Sequence, residues 1–351
     1  MKSVLIVSLK FHPGHVSHMI ASYRQCEELG YTPSFYVDVA FIGSLPKACR
    51  TLIYGKDDPS KIDIALFLFP CTKNINAMWS LKSKCGSKII YVFHEPVEKY
   101  SRYLEVGYSK KYVVKKMLAN VLYKIMVRIS NSIILPSEKS LRMYDENKGY
   151  KNKNRYYLPL MFDDETIGTD LLKSERIYFS YIGTIAIDHS YTECLEFMLW
   201  AIENNKLPNL KFLIATKNNV ERTERVQKAV EGGRLVIVDG RPMTNEEINS
   251  HYASSYAIWN AYARTNQSGV LPKAFMCGAS ALVLKENMSE FVEDGKNVIS
   301  LQTNKDCQGI ADGIERLLNN FDSYSKNCRD TFMNKFYYRN NNEIFKKIVE
   351  S

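Results

Sequence analysis

The chain has 351 residues, 45% of them hydrophobic and 24% charged, which excludes a disordered or low-complexity protein and allows two domains. Its net charge of +9 lies wholly in the first half: residues 1–165 carry 25 basic and 15 acidic side chains, residues 166–351 carry 22 and 23. That asymmetry suits a surface meeting nucleic-acid phosphates, an anionic membrane or a charged substrate. The eight cysteines contain no C-x-x-C pair and several sit in apolar runs, so they read as reduced core thiols of a cytosolic protein. Val4-Leu5-Ile6-Val7 opens a strand with no signal-peptide pattern, and Asp63, Lys124 and Arg128 interrupt the longest apolar stretches; a soluble or peripheral protein is expected.

In chain order, strands are expected at Val4–Leu9, Ser34–Val39, Ile64–Phe69, Ile89–Phe93 and Ser132–Leu135, with helices over 16–29 and 110–129 between them. Pro136-Ser137-Glu138 reads as a turn into a helix capped by Ser137. A linker with no strong strand is placed within 150–176. A second strand series follows at Ile177–Ile182, Lys211–Ile214, Leu235–Val238, Ala257–Trp259, Ala281–Leu284 and Val298–Leu301, and the chain from about 322 is helical. Alternating strands and helices in two series predict an α/β protein of two Rossmann-like domains facing across a cleft: 1–160, then 161–321, then C-terminal helices 322–351 returning toward the first domain. Ligands in such sheets bind at the carboxyl ends of strands, so the loops there are the candidate sites.

Two loops and one helix hold the candidates in the first half. His12-Pro13-Gly14-His15 follows the first strand and opens a helix; with His18 it offers three imidazoles, but no carboxylate or cysteine completes a metal set, and no metal is expected. His94-Glu95 ends the fourth strand, where the histidine either holds a substrate hydroxyl or serves as a structural hydrogen-bonder. Over 110–129, Val114, Leu118, Val121, Leu122, Ile125, Met126 and Ile129 form one apolar stripe beside Lys110, Lys111, Lys115 and Lys116. Preceded by Lys99 and Arg102, this segment reads either as a core-facing helix with a solvated face or as a basic surface for an anionic bilayer.

The second half is the more informative. After the strand ending near Trp259, Arg264-Thr265-Asn266-Gln267-Ser268-Gly269-Val270 leads into a helix that carries Pro272 and Lys273, either a plain helix cap or amides placed for an anion. The run Gln267–Pro272 with Ala274-Phe275, Gly278, the strand 281–284 and Ser289-Glu290-Phe291-Val292-Glu293-Asp294-Gly295 resembles the donor half of GT-B glycosyltransferases of family 4. Tyr181-Ile182-Gly183 is similar to that family's first donor-domain strand and glycine loop, and Asp239-Gly240-Arg241-Pro242 to its loop beside the base.

The resemblance covers residues 177–302 and implies a GT-B fold and a metal-independent, retaining hexosyltransferase using a UDP or GDP sugar, with no other cofactor. It implies donor contacts from Gly183, Thr184, Gly240, Arg241, Asn266, Gln267, Ser268, Gly269, Val270, Lys273 and Glu290, and acceptor contacts from His12, Gly14, His15 and Glu95. His94, Lys217 and Arg264 are the implied catalytic groups, the cations offsetting charge on the leaving diphosphate. No D-x-D pair is present. Where the family carries two glutamates, this chain has Arg264 and Lys273, and a basic pair after the first glycine is absent. The expected acceptor is a saccharide, lipid-linked, in surface polysaccharide synthesis at the inner face of the cytoplasmic membrane, with no nucleic acid as partner. A catalytically silent GT-B scaffold and a basic nucleic-acid-binding protein are the alternatives.

Overall fold

The computed structural model describes residues 1–151, 154–266 and 269–351. The chain divides into two compact units: Met1–Asp163 with Phe336–Ser351, and Asp164–Lys335.

Unit 1 is a seven-stranded sheet, all of whose pairings are parallel, built from β1 (Ser3–Ser8), β2 (Thr32–Val37), β3 (Thr51–Ile53), β4 (Ile64–Phe67), β5 (Lys88–Val92), β6 (Ser132–Leu135) and β7 (Arg155–Tyr157) in the order β3-β2-β1-β4-β5-β6-β7. Its helices are α1 (Val16–Glu28), α2 (Asn74–Cys85), α3 (Tyr100–Glu105), α4 (Lys110–Ile129) and α5 (Glu138–Glu146). The central strands are apolar without interruption because helices cover both faces of a parallel sheet; Leu5, Val7, Phe67, Ile89, Tyr91 and Ile133 meet in one buried cluster. The Ser137 hydroxyl accepts from the Ser140 amide at 3.0 Å, the expected cap of α5.

Two strands differ from expectation. β3 and β7 are edge strands of three residues, too short for any periodicity, and β7 lies inside the stretch read as a strandless linker. α4 also faces inward differently. It buries Val113, Met126, Val127 and Ile129 and leaves Val114, Leu118 and Val121 exposed. Polar contacts on its inner side explain the rotation: the Tyr150 hydroxyl donates to Asn120 Oδ1 at 2.7 Å, and Lys116 lies 3.8 Å from Glu95.

Unit 2 is a six-stranded sheet, again with every pairing parallel, of β8 (Tyr178–Ile182), β9 (Lys211–Ala215), β10 (Leu235–Val238), β11 (Ser255–Asn260), β12 (Ser280–Leu284) and β13 (Val298–Leu301) in the order β10-β9-β8-β11-β12-β13. Around it lie α6 (Tyr191–Glu203), α7 (Glu224–Glu231), α8 (Asn245–Ala253), α9 (Val270–Met276), α10 (Cys307–Leu318) and α11 (Phe321–Thr331). Phe179, Phe197, Phe212 and Trp259 centre its core.

The return to unit 1 begins at Phe336, later than the expected 322. α11 stays with unit 2 because Arg329 pairs with buried Asp164 at 2.7 Å and donates to the Met276 carbonyl at 2.5 Å. The last helix, α12 (Asn342–Glu350), then buries Phe345, Ile348 and Val349 in unit 1. There the Lys88 ammonium donates to the Ile348 and Val349 carbonyls, and Gln25 to that of Tyr338.

Candidate functional site

In each unit the strand order reverses once, between β1 and β4 and between β8 and β11. Loops leaving adjacent strands in opposite directions part at such a point and leave a crevice beyond the strand ends.

In unit 2 the loops after β8 and β11 flank the reversal and are tied to each other. The His189 ring stacks on Tyr262, with 4.4 Å between centroids and 13° between planes. Its Nδ1–H donates to the Thr184 carbonyl at 2.8 Å, and Trp259 Nε1–H donates to the His189 carbonyl at 3.2 Å. The Ala263 amide donates to Ser190 Oγ, and Arg264 lies 3.8 Å from Asp188. From the next strand over, Asn287 Nδ2 donates to the Tyr262 carbonyl at 2.9 Å. On the other side Asn218, after β9, accepts from the Ile185 amide at 3.0 Å. The loop floor is therefore fixed.

Above that floor, Gly183 has φ +144°, and a Cβ added there meets nothing within 4 Å; another residue would be strained and would fill open space. Lys217 is exposed at the end of β9, and among the described residues none pairs with it. Asn266 is buried, and among the described residues neither end of its amide finds a hydrogen-bond partner. Gly240 has φ +81° in the loop after β10. Gly269 and Val270 stand at the start of α9; Gln267 and Ser268 lie outside the described residues. Glu290 is exposed before the turn that Asn297 closes by accepting from the Glu293 amide.

Two basic candidates are committed elsewhere. All three Lys273 protons are taken, by Glu165 Oε2 at 2.6 Å, Asn245 Oδ1 at 2.7 Å and Asn249 Oδ1 at 3.0 Å, and the side chain is buried. It therefore does not reach a diphosphate as expected: an ammonium has three donors and none remains. Arg241 makes a bidentate pair with Glu247, the residue that closes the capping box of α8 with Thr244. Arg264, also buried, keeps its place beside Asp188.

In unit 1 the loops after β1, β4 and β5 bring together His15, Phe69 and His94. Phe69 is stacked between the two imidazoles, at centroid distances of 3.4 Å and 4.9 Å, and His18 stands edge-on to Phe69 and to His94. His94 Nε2–H donates to the Leu68 carbonyl at 2.6 Å, and His18 Nδ1–H to the Met161 carbonyl at 2.7 Å. Loss of water pushes His18 down to about 4 and His94 to about 3, and lowers His15 further, so all three are neutral at physiological pH. The Nε2 of His94 is spent on the backbone, while exposed His12 caps its own turn by accepting from the Gly14 amide at 3.2 Å. Glu95 is exposed toward Lys116. Among the described residues no group of three or more His, Cys, Asp or Glu side chains is arranged to hold a metal ion.

Sequence reasoning passed over His189, Asp188, Asn218 and Asn287. Their signal is positional: Asp188 and His189 follow β8 at the reversal and Asn218 and Asn287 follow the next strands out, β9 and β12, which becomes visible only once strand order is known.

No family model matches the chain, and no curated protein is significantly similar in sequence. Solved structures are similar over its full length. A sucrose-phosphate synthase from Thermosynechococcus elongatus superposes with a TM-score of 0.71 at 12% identity, covering 100% of this chain and 98% of that one. HepE from Anabaena, in complex with UDP-glucose, gives 0.72 at 11%, covering both chains completely. An alpha-glucosyltransferase in complex with UDP and a 13-mer DNA gives 0.70 at 12%, covering 99% of each chain. With two parallel α/β units and this full-length likeness, the chain has the GT-B fold of two Rossmann-like domains.

Proposed function

We propose that the protein is a retaining glycosyltransferase that moves a hexose from a UDP or GDP sugar to a saccharide acceptor. The observation carrying this reading is the fixed, glycine-opened floor at the β8/β11 reversal, in a fold whose similar structures include one solved with UDP-glucose. In this reading the bond from the anomeric carbon to the diphosphate oxygen breaks, negative charge grows on the departing nucleotide, and the acceptor hydroxyl oxygen bonds to the anomeric carbon on the same face while its proton passes to the departing diphosphate oxygen. Lys217 offsets that charge, and the backbone amides of Thr184 and Gly269 donate hydrogen bonds to the phosphates without metal. Buried Tyr262 holds the half-buried His189 ring flat beneath the site in this reading. The acceptor in this reading is a lipid-linked saccharide of surface polysaccharide synthesis.

A thermal-shift panel of UDP, GDP, ADP, CMP and their sugar conjugates tests the donor assignment. A ligand present at 100 times its Kd stabilises the folded state by about 2.7 kcal/mol, and stabilisation by UDP or GDP and their sugars alone is the expected result. No response to any nucleotide overturns it.

A second reading, a silent scaffold that binds donor without turnover, is favoured by one fact: the positions occupied by glutamates in family 4 hold Arg264 and Lys273, set beside Asp188 and Glu165. Stabilisation by the sugar nucleotide with no transfer and no slow hydrolysis over days distinguishes it.

A further inference from the structure

We propose that unit 1 docks on anionic bilayers through the outer face of α4, with Val114, Leu118 and Val121 inserted among the lipids. These residues recur at i, i+4 and i+7 on one side of the helix and are 51%, 66% and 56% exposed. Three large aliphatic side chains in line on a 20-residue helix are an unpartnered apolar stripe, whereas a merely solvated helix face carries mixed charges. Here the charges are of one sign: α4 contains six basic residues and no acidic one, and Lys110, Lys111, Lys115 and Arg128 are exposed along it.

An apolar stripe flanked by cations matches a bilayer with anionic headgroups, which offers acyl chains below and phosphates above. The neighbouring helix exposes an indole. α2 packs against α4, with Lys82 donating to the Ile129 carbonyl at 2.6 Å, and its Trp79 is 56% exposed. Indole is the side chain that favours the headgroup level. At the start of α4, exposed Tyr112 stacks on Tyr108 at 4.5 Å, and Lys99 and Tyr100, at the start of α3, are exposed as well. A nucleic-acid duplex offers cations a partner but gives the aliphatic stripe none. Among the described residues no helix is long and apolar enough to cross a membrane, so the attachment is interfacial. This inference stands apart from the donor site, which lies in unit 2.

Vesicle flotation of the full chain tests it, using liposomes of phosphatidylglycerol and phosphatidylcholine in equal parts, liposomes of phosphatidylcholine alone, and duplex DNA retention in parallel. Binding to the anionic vesicles only is expected. The triple variant V114S/L118S/V121S keeps every charge and should bind roughly 100-fold more weakly, by loss of apolar burial. Lys110→Gln with Lys111→Gln and Lys115→Gln should bind more weakly and lose most of the salt dependence. UDP thermal shift and circular dichroism of both variants read folding and the donor site separately, and both should match wild type. Absent binding at low salt, equal binding to neutral vesicles, unchanged binding of the serine variant, or tighter retention on DNA than on vesicles each overturns the proposal.

Discussion

His189 lies flat against Tyr262, 4.4 Å between ring centres, and joins the two loops that part at the strand reversal of unit 2. The stack is locked from both sides, by the Thr184 carbonyl on the imidazole and by Trp259 on the His189 backbone. A double-mutant cycle of His189→Ala and Tyr262→Leu should return a coupling of about 0.5–1.5 kcal/mol in thermal or urea unfolding, the value of a ring pair beyond its burial. Additive losses would show that the rings only fill space.

Lys217 and Lys273 should behave oppositely. Lys217→Ala removes an exposed cation at the end of β9; stability should be unchanged, while affinity for nucleoside diphosphate falls by roughly 1.5–3 kcal/mol, the cost of a charge-assisted phosphate contact. Lys273→Ala removes the buried ammonium from Glu165 Oε2 and from the Asn245 and Asn249 side-chain oxygens, and should destabilise the fold by about 3 kcal/mol. Calorimetric titration with UDP and GDP beside urea unfolding of both variants separates binding from folding.

Acid should weaken unit 1 before it affects carboxylates. In the folded chain His18 and His94 titrate at about 4 and about 3, against 6.5 when unfolded. The unfolded chain then binds more protons, so the stability these residues contribute is complete above pH 6.5 and is lost as pH falls toward their folded values. Between pH 6.5 and 5 each should remove roughly 2 kcal/mol. Urea unfolding of wild type and of His18→Gln over pH 5–7.5 should show the shallower slope in the variant.

Gly278 closes the passage from α9 to β12 with φ +72°, and a Cβ there falls 2.5 Å from Ser325 Oγ. Gly278→Ala should cost about 1–3 kcal/mol through backbone strain, and most of that should persist in the Gly278→Ala/Ser325→Ala double variant, which removes the Oγ contact and leaves the strain, with Arg176 Nη2 still 3.2 Å from the new Cβ. Melting temperatures of the two proteins decide the matter.

The central strands were readable because a strand covered on both faces is an unbroken apolar run, as in Val4–Val7 and Ile89–Val92. β3 and β7 were not, since three edge residues carry no period. For α4 the sequence left two orientations open: an apolar count alone lets Val114, Leu118 and Val121 face either the core or the surface, and the choice rests on Asn120 and Lys116, whose partners Tyr150 and Glu95 stand on other elements. Lys273 was legible as a cation beside the candidate loop. Its carboxylate partner stands 108 positions earlier, a distance across which no local spacing reports contact. The loops at the reversals were located by residue type, but which of them adjoin follows from strand order alone.

The crossing of the chain back to unit 1 bears on its birth at the ribosome. Unit 1 is assembled from Met1–Asp163 and Phe336–Ser351, and the latter segment caps Lys88, Gln25 and Glu28. Synthesis therefore delivers all of unit 2 before the first sheet receives its last helix. Unit 1 is thus completed only after unit 2 has been made, and until then the apolar surface that Phe345, Ile348 and Val349 cover stays open to solvent.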